Sequence, residues 1–215
     1  MAGVKEIQEG KIDARFDKTP PKEGLILRVH SKVLSGYKPK DLENFRTELF
    51  KDATGRDNVW FQKSDKAELV KWIKTGGELP TKLAQRIARY HLIDNTRGEP
   101  PRWKVKEIKS LSISIDKSGT IKGSVHLETS DGKRGYKASL FGKGELDLSD
   151  SSSPVINRLD MVAKGEFWGR GRFTGYQPMG KFPLAIAFRI ADGTDPADSI
   201  LPHGGKGWME GYYEE

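Results

Sequence analysis

The hydrophobic period of this chain changes once, near Trp103, from 3.6 residues to two, and no all-helical or all-strand fold satisfies both halves. Upstream of the change, Leu42, Phe45 and Leu49 recur at helical spacing behind a capping Asp41, with Gly55 as the stop. Leu69, Trp72 and Ile73 share one face of a second helix, capped by Ser64 and ended by Gly76 and Gly77. Pro80 opens a third helix, on which Leu83, Ile87 and His91 line one side while Arg86 and Arg89 point elsewhere. Short β-type runs occupy 25–29 and 59–61.

Downstream, Leu111, Ile113 and Ile115 alternate with serines, and Ile121, Val125 and Leu127 alternate back after a turn at Asp116 to Gly119. Asp131 and Gly132 supply a second hairpin turn, where glycine accepts the positive φ such turns need. Tyr136, Ala138 and Leu140 continue the pattern. A long fourth strand follows from Leu159 to Phe173, and Phe182, Leu184, Ile186, Phe188 and Ile190 mark the fifth. Gly165, Gly169 and Gly171 in the fourth strand permit sharp coiling.

These patterns predict an α+β fold: short N-terminal helices packed on a curled antiparallel β-meander, a partial barrel. Residues 1–24 read as a flexible arm or linker and 25–215 as one domain. Within it, 25–103 is mainly helical, 104–200 is the meander, and 201–215 is a glycine- and aromatic-rich tail. The expected core is Leu83, Ile87, Leu111, Ile113, Val125, Leu140, Phe167, Phe182, Ile186 and Phe188.

Charge is divided unevenly. Residues 1–109 hold 24 Lys+Arg against 16 Asp+Glu, a net of +8, whereas 110–215 hold 13 against 14, a net of −1, recovering the total of +7. Most of the lysines are interleaved with acids, the pattern of a solvated face. A nucleic-acid partner is disfavoured, because no reader motif accompanies the charge. Only four Asn, four Gln and four Met accompany 31% charged residues, a balance that leans towards a thermophilic source. No apolar run approaches the roughly 20 residues of a membrane span. No apolar stretch of signal-peptide type follows Lys5. The expectation is therefore cytoplasmic if Met1 is the natural start, and exported if an upstream segment was removed.

The absence of cysteine removes disulfides, thiolate-ligated metals and thiol catalysis together. No nucleophile elbow, phosphate-binding Gly-Lys-Ser/Thr loop or His-Glu-x-x-His motif is present. His30, His91, His126 and His203 lack ligand spacing, and Asp192, Asp195 and Asp198 recur at every third residue rather than at the alternate positions of a calcium loop. No metal site and no cofactor are expected.

Two candidate sites remain. His91, Asp94 and Glu99, with Arg97 between them, crowd a helix-to-strand junction ending at Pro100 and Pro101, and could set an acid, a base and an anion-binding arginine around one volume. The simpler alternative is that Asp94 and Asn95 close the loop's own hydrogen bonds while Arg97 pairs with Glu99. The second site follows from period two. Lys164, Glu166, Trp168, Arg170 and Arg172 fall on the side of the fourth strand opposite Phe167. A tryptophan between a carboxylate and two arginines suits a small anionic or sugar-like molecule or a polymer segment.

The segments from Arg86 to Pro101, Gly123 to Thr129, Gly165 to Gly169 and Lys181 to Ala185 resemble uncharacterised bacterial proteins. In some of these a similar region follows a thioredoxin-like segment. The resemblance spans about residues 24–211, brings no activity with it, and implies that the natural chain can begin upstream of Met1. The expected function is a ligand-binding β-module. The alternatives are a metal-independent hydrolase or lyase using His91, Asp94 and Glu99, and an interaction domain whose basic helices dock an acidic partner.

Overall fold

The computed structural model describes residues 18–34, 53–150, 152–175, 180–203 and 209–214. The elements in chain order are β1 (Leu25–Val33), β2 (Thr54–Phe61), α1 (Lys63–Thr75), β3 (Gly77–Glu78), α2 (Thr81–Arg86, continued by a π-helical turn Ile87–His91), β4 (Ile108–Ile115), β5 (Thr120–Glu128), β6 (Gly135–Asp147), β7 (Val155–Trp168), β8 (Lys181–Ile190) and α3 (Met209–Glu214). All eight strands form one antiparallel sheet in the order β2-β1-β8-β7-β6-β5-β4-β3.

The meander is present, but it is not closed into a barrel. Its last strand, β8, pairs instead with β1 in the register Leu27↔Ile190 to Val33↔Leu184, so the two N-terminal strands extend the sheet. The segment 25–103 therefore contributes strands as well as helices. The expected helix from Asp41 lies outside the described residues, as does most of the 1–24 arm. Gly55, its predicted stop, is the second residue of β2.

Local chemistry accounts for α1. The Asp65 carboxylate accepts the Gln62 backbone N–H at 2.9 Å, so the cap is Gln62 rather than Ser64. Gly76 ends the helix at φ 76°, its N–H reaching Trp72 O at 2.9 Å. The face carrying Leu69, Trp72 and Ile73 is buried as its spacing requires. The α2 helix and its π turn are buried on nearly all sides. Arg86 and Arg89 do leave the apolar face, but they enter a buried polar layer and are only 1% and 5% exposed.

One face of the sheet packs against these helices. Ile113, Val125, Leu140, Phe167, Phe182, Ile186 and Phe188 join Leu83 and Ile87 in one core, and Leu111 lies partly buried at its margin. Close strand approach is built into β7 at Gly165, where a Cβ would sit 2.0 Å from Lys137 O.

An open sheet must manage its edges. Along β2, the Arg56 carbonyl accepts Asn95 Nδ2, the Asn58 N–H donates to Asp57 Oδ1, the Trp60 N–H donates to the Tyr212 hydroxyl and the Trp60 carbonyl accepts Arg86. At the other edge the Glu78 carboxylate accepts the Ile113 N–H at 3.2 Å. Side chains occupy hydrogen-bonding groups that another strand would otherwise take. Among the described residues no helix is long and apolar enough to cross a membrane.

Candidate functional site

The helix-to-strand junction separates its polar residues. His91 is buried, with Nδ1 2.7 Å from Asp57 Oδ2 and Nε2 2.8 Å from the Tyr212 hydroxyl. Donation of Nδ1–H to the carboxylate leaves Nε2 to accept the tyrosine proton, and the Tyr212 oxygen in turn accepts the Trp60 N–H. Asp94 instead takes the Thr96 N–H, the Thr96 hydroxyl and the Arg97 guanidinium. Arg97 is buried above the Phe182 ring and pairs with Asp94. Glu99 is exposed and borders a cavity of about 240 Å³ with Asp57, Asn95 and His203. His91 lies behind Asp57 rather than on the wall of that cavity.

The three aspartates at 192, 195 and 198 are held by arginines. Arg28 grips Asp198 through Nε and Nη2 at 2.6 and 2.7 Å and also pairs with Asp192, while Arg56 reaches Asp195 at 2.6 Å and Asp198 at 3.0 Å. This network ties the 192–200 loop to β1 and β2.

The strand-face candidates are divided by the end of β7. The strand stops at Trp168, short of the expected Phe173, so pleating no longer carries Arg170 and Arg172 to the Glu166 side. Glu166 stays on the sheet and pairs with Lys181 at 3.3 Å. Trp168 lies over Gly135, where a Cβ would meet its ring at 2.0 Å, and its indole N–H donates to Gly132 O at 3.0 Å. Lys181 Nζ stands 5.1 Å from its ring centre. The tryptophan thus clamps the β5–β6 hairpin.

That hairpin forms one wall of a groove of about 560 Å³. Arg170 and Arg172 line it with Arg102, Lys104, Lys133 and Arg134, opposed by the carboxylates of Glu107 and Asp131. Each segment is fixed locally. Asp131 accepts the Thr129 hydroxyl at 2.7 Å, the Thr129 hydroxyl accepts the Arg134 N–H at 3.1 Å, and Glu107 accepts the Lys104 N–H at 2.8 Å. The Arg170–Arg172 turn is held by Thr174, whose hydroxyl accepts the Gly171 N–H at 2.7 Å.

Arg134 is the distinctive member. It is 4% exposed, with its guanidinium carbon 3.9 Å from the ring centre of buried Trp103. Nη1 donates to Pro101 O at 3.0 Å, while buried Nε has no acceptor among the described residues. Desolvation pulls its pKa below the ordinary arginine value, and the Glu107 charge opposes the shift. A buried cation with donors left over, ringed by five more basic side chains, is suited to hold an anion.

Sequence reasoning reached Arg170 and Arg172 but missed Arg102, Lys104, Lys133 and Arg134. The only local signal was the Asp131–Gly132 turn, which places Lys133 and Arg134 at a strand entry. Nothing in the order of residues announces that Trp103 lies beneath Arg134. No family model, curated protein or solved structure matches this chain.

Proposed function

We propose that this chain is a ligand-binding module whose groove, lined by Arg102, Lys104, Lys133, Arg134, Arg170 and Arg172, takes a small anionic molecule carrying phosphate, sulfate or carboxylate groups. The observation that carries the reading is Arg134: a buried guanidinium over Trp103 whose Nε has no acceptor among the described residues. Planar forks of this kind favour oxyanions held by two parallel hydrogen bonds. Binding is favoured over turnover because the Thr129 hydroxyl and the Asp131 and Glu107 carboxylates are committed to their own backbone turns. Trp168 supports the wall of the groove and does not line it, so the anionic character of the ligand rests on the arginines alone.

Calorimetric titration with pyrophosphate and glucose 6-phosphate tests the reading. The double variant Arg170→Ala/Arg172→Ala, altered only at exposed positions, should lose at least tenfold in affinity. Arg134→Met, which keeps stacked bulk, should lose as much. If neither anion binds, or both variants bind like the parent protein, the groove is not the ligand site.

A further inference from the structure

The face of the sheet opposite the main core carries a second positive surface, built by strands that are remote in sequence. Two rows of facing residues cross it. One runs Ser112, Ser124, Ser139, Lys164, Ala185, Lys32; the next runs Ser114, Lys122, Phe141, Val162, Ala187, His30. Lys137, two residues before Ser139 on β6, adds a further cation beside the first row.

The carboxylates of this face are engaged away from its lysine rows: Glu145 and Asp160 share Arg158, Glu166 pairs with Lys181, Glu128 lies 3.5 Å from His126, and Glu78 accepts the Ser112 hydroxyl at the β3 edge. Lys32, Lys122, Lys137 and Lys164 are exposed and, among the described residues, none is in an ion pair. Asp116, whose charge reaches Lys122, spends its carboxylate on Ser118 and Thr120. Strand spacing places Lys164 and Lys32 about 10 Å apart, and Lys164 and Lys137 about 8 Å apart. Phe141 stands among them, directly opposite Lys122 and 49% exposed.

We infer that this outer face binds single-stranded nucleic acid, with Lys32, Lys122, Lys137 and Lys164 neutralising phosphates and Phe141 stacking a base. The occupant follows from the combination. A lattice of unmatched lysines calls for a polyanion, and serines and alanines between them keep the face low enough for an extended chain to lie across it. An exposed aromatic ring inside that lattice gives an unpaired base a stacking platform beside the phosphates that the lysines hold. An open sheet face presents this ring to unpaired bases, which a duplex keeps stacked. The lack of a linear reader motif does not weigh against the surface, because its residues come from β1, β5, β6 and β7. The inference is independent of the anion groove and uses none of its residues.

Fluorescence anisotropy with labelled oligo(dT) and oligo(rU) of about 20 nucleotides, at about 50 to 200 mM salt, tests it. The variant Lys122→Glu/Lys137→Glu/Lys164→Glu should lose at least thirtyfold in affinity, with circular dichroism unchanged. Its log–log salt slope should fall by about 0.7 for each phosphate contact removed. Phe141→Ala should weaken binding about tenfold with the slope unchanged, and Arg170→Ala/Arg172→Ala should leave oligonucleotide affinity intact. The inference is overturned by no binding at low salt, by a charge-reversed variant that binds like the parent, or by loss of binding in the groove variant. It is equally overturned if Phe141→Ala is silent while a sulfated polysaccharide or anionic vesicles compete on equal terms, since the face would then be a general polyanion surface.

Discussion

The Tyr212 hydroxyl lies 2.8 Å from His91 Nε2, joining the last helix of the chain to the π turn that follows α2. The same oxygen accepts the Trp60 N–H at 3.2 Å, so one side chain satisfies both a buried imidazole and the free edge of β2. Burial pushes the Tyr212 pKa well above its ordinary value, and the group stays a proton donor over the working pH range. Arg86 reinforces the contact by donating to Tyr212 O while pairing with Asp65 at 2.5 Å.

Tyr212→Phe keeps the ring and deletes both hydrogen bonds. Leaving His91 Nε2 and the Trp60 N–H without partners should cost about 1–3 kcal/mol in urea unfolding. A variant as stable as the parent would mean that water replaces the hydroxyl at no cost.

The arginine-held aspartates set an acid limit. Hydrogen bonds from Arg28 to Asp198 and from Arg56 to Asp195 lower the pKa of each carboxyl, and the Thr194 and Arg28 contacts lower that of Asp192. Carboxyls with depressed folded pKa values bind fewer protons when folded than when unfolded. Their stabilisation is therefore complete above the unfolded value of about 3.9 and is lost as pH falls through the folded values. Denaturant unfolding between about pH 5 and 2 should show stability falling with acid. Asp198→Asn should flatten that fall, and an unchanged slope would remove this network as its source.

Trp168 acts on the groove through the hairpin. Trp168→Phe removes the indole bond to Gly132 O but retains a ring over Gly135. Pyrophosphate affinity should drop severalfold while Arg170 and Arg172 are untouched, and amide exchange across 129–134 should accelerate. Weaker binding without faster exchange there would make Trp168 a direct contact rather than a positioning residue.

Several elements were legible because their causes are local. The spacing of Leu69, Trp72 and Ile73 and the glycines after Thr75 define α1. Alternation at Ile113, Ile115, Ile121, Val125 and Leu127 defines β4 and β5, and their turn is closed by Asp116 with its own neighbours Ser118 and Thr120. Errors arose where continuation depended on a partner. Apolar pattern runs past Trp168 to Phe173, yet β7 stops where β6 and β8 no longer offer pairing beyond Gly135 and Lys181. The candidate sites divided in the same way. Arg170 and Arg172 were visible, but Arg134 over Trp103 and Asp57 against His91 were not, since each joins segments that periodicity treats as unrelated.

The sequence by itself determined α1, the alternation of β4, β5 and β8 and the turns at Asp116–Gly119 and Asp131–Gly132, because side-chain period, capping and glycine conformations act over a few residues. Tertiary structure alone decided that β1 pairs with β8 to leave the sheet open, that Tyr212 closes the edge of β2, and that basic residues from three loops surround one groove. Those outcomes rest on contacts between residues far apart in the chain, such as Leu27 with Ile190, whose formation depends on how the whole core packs and not on any local preference.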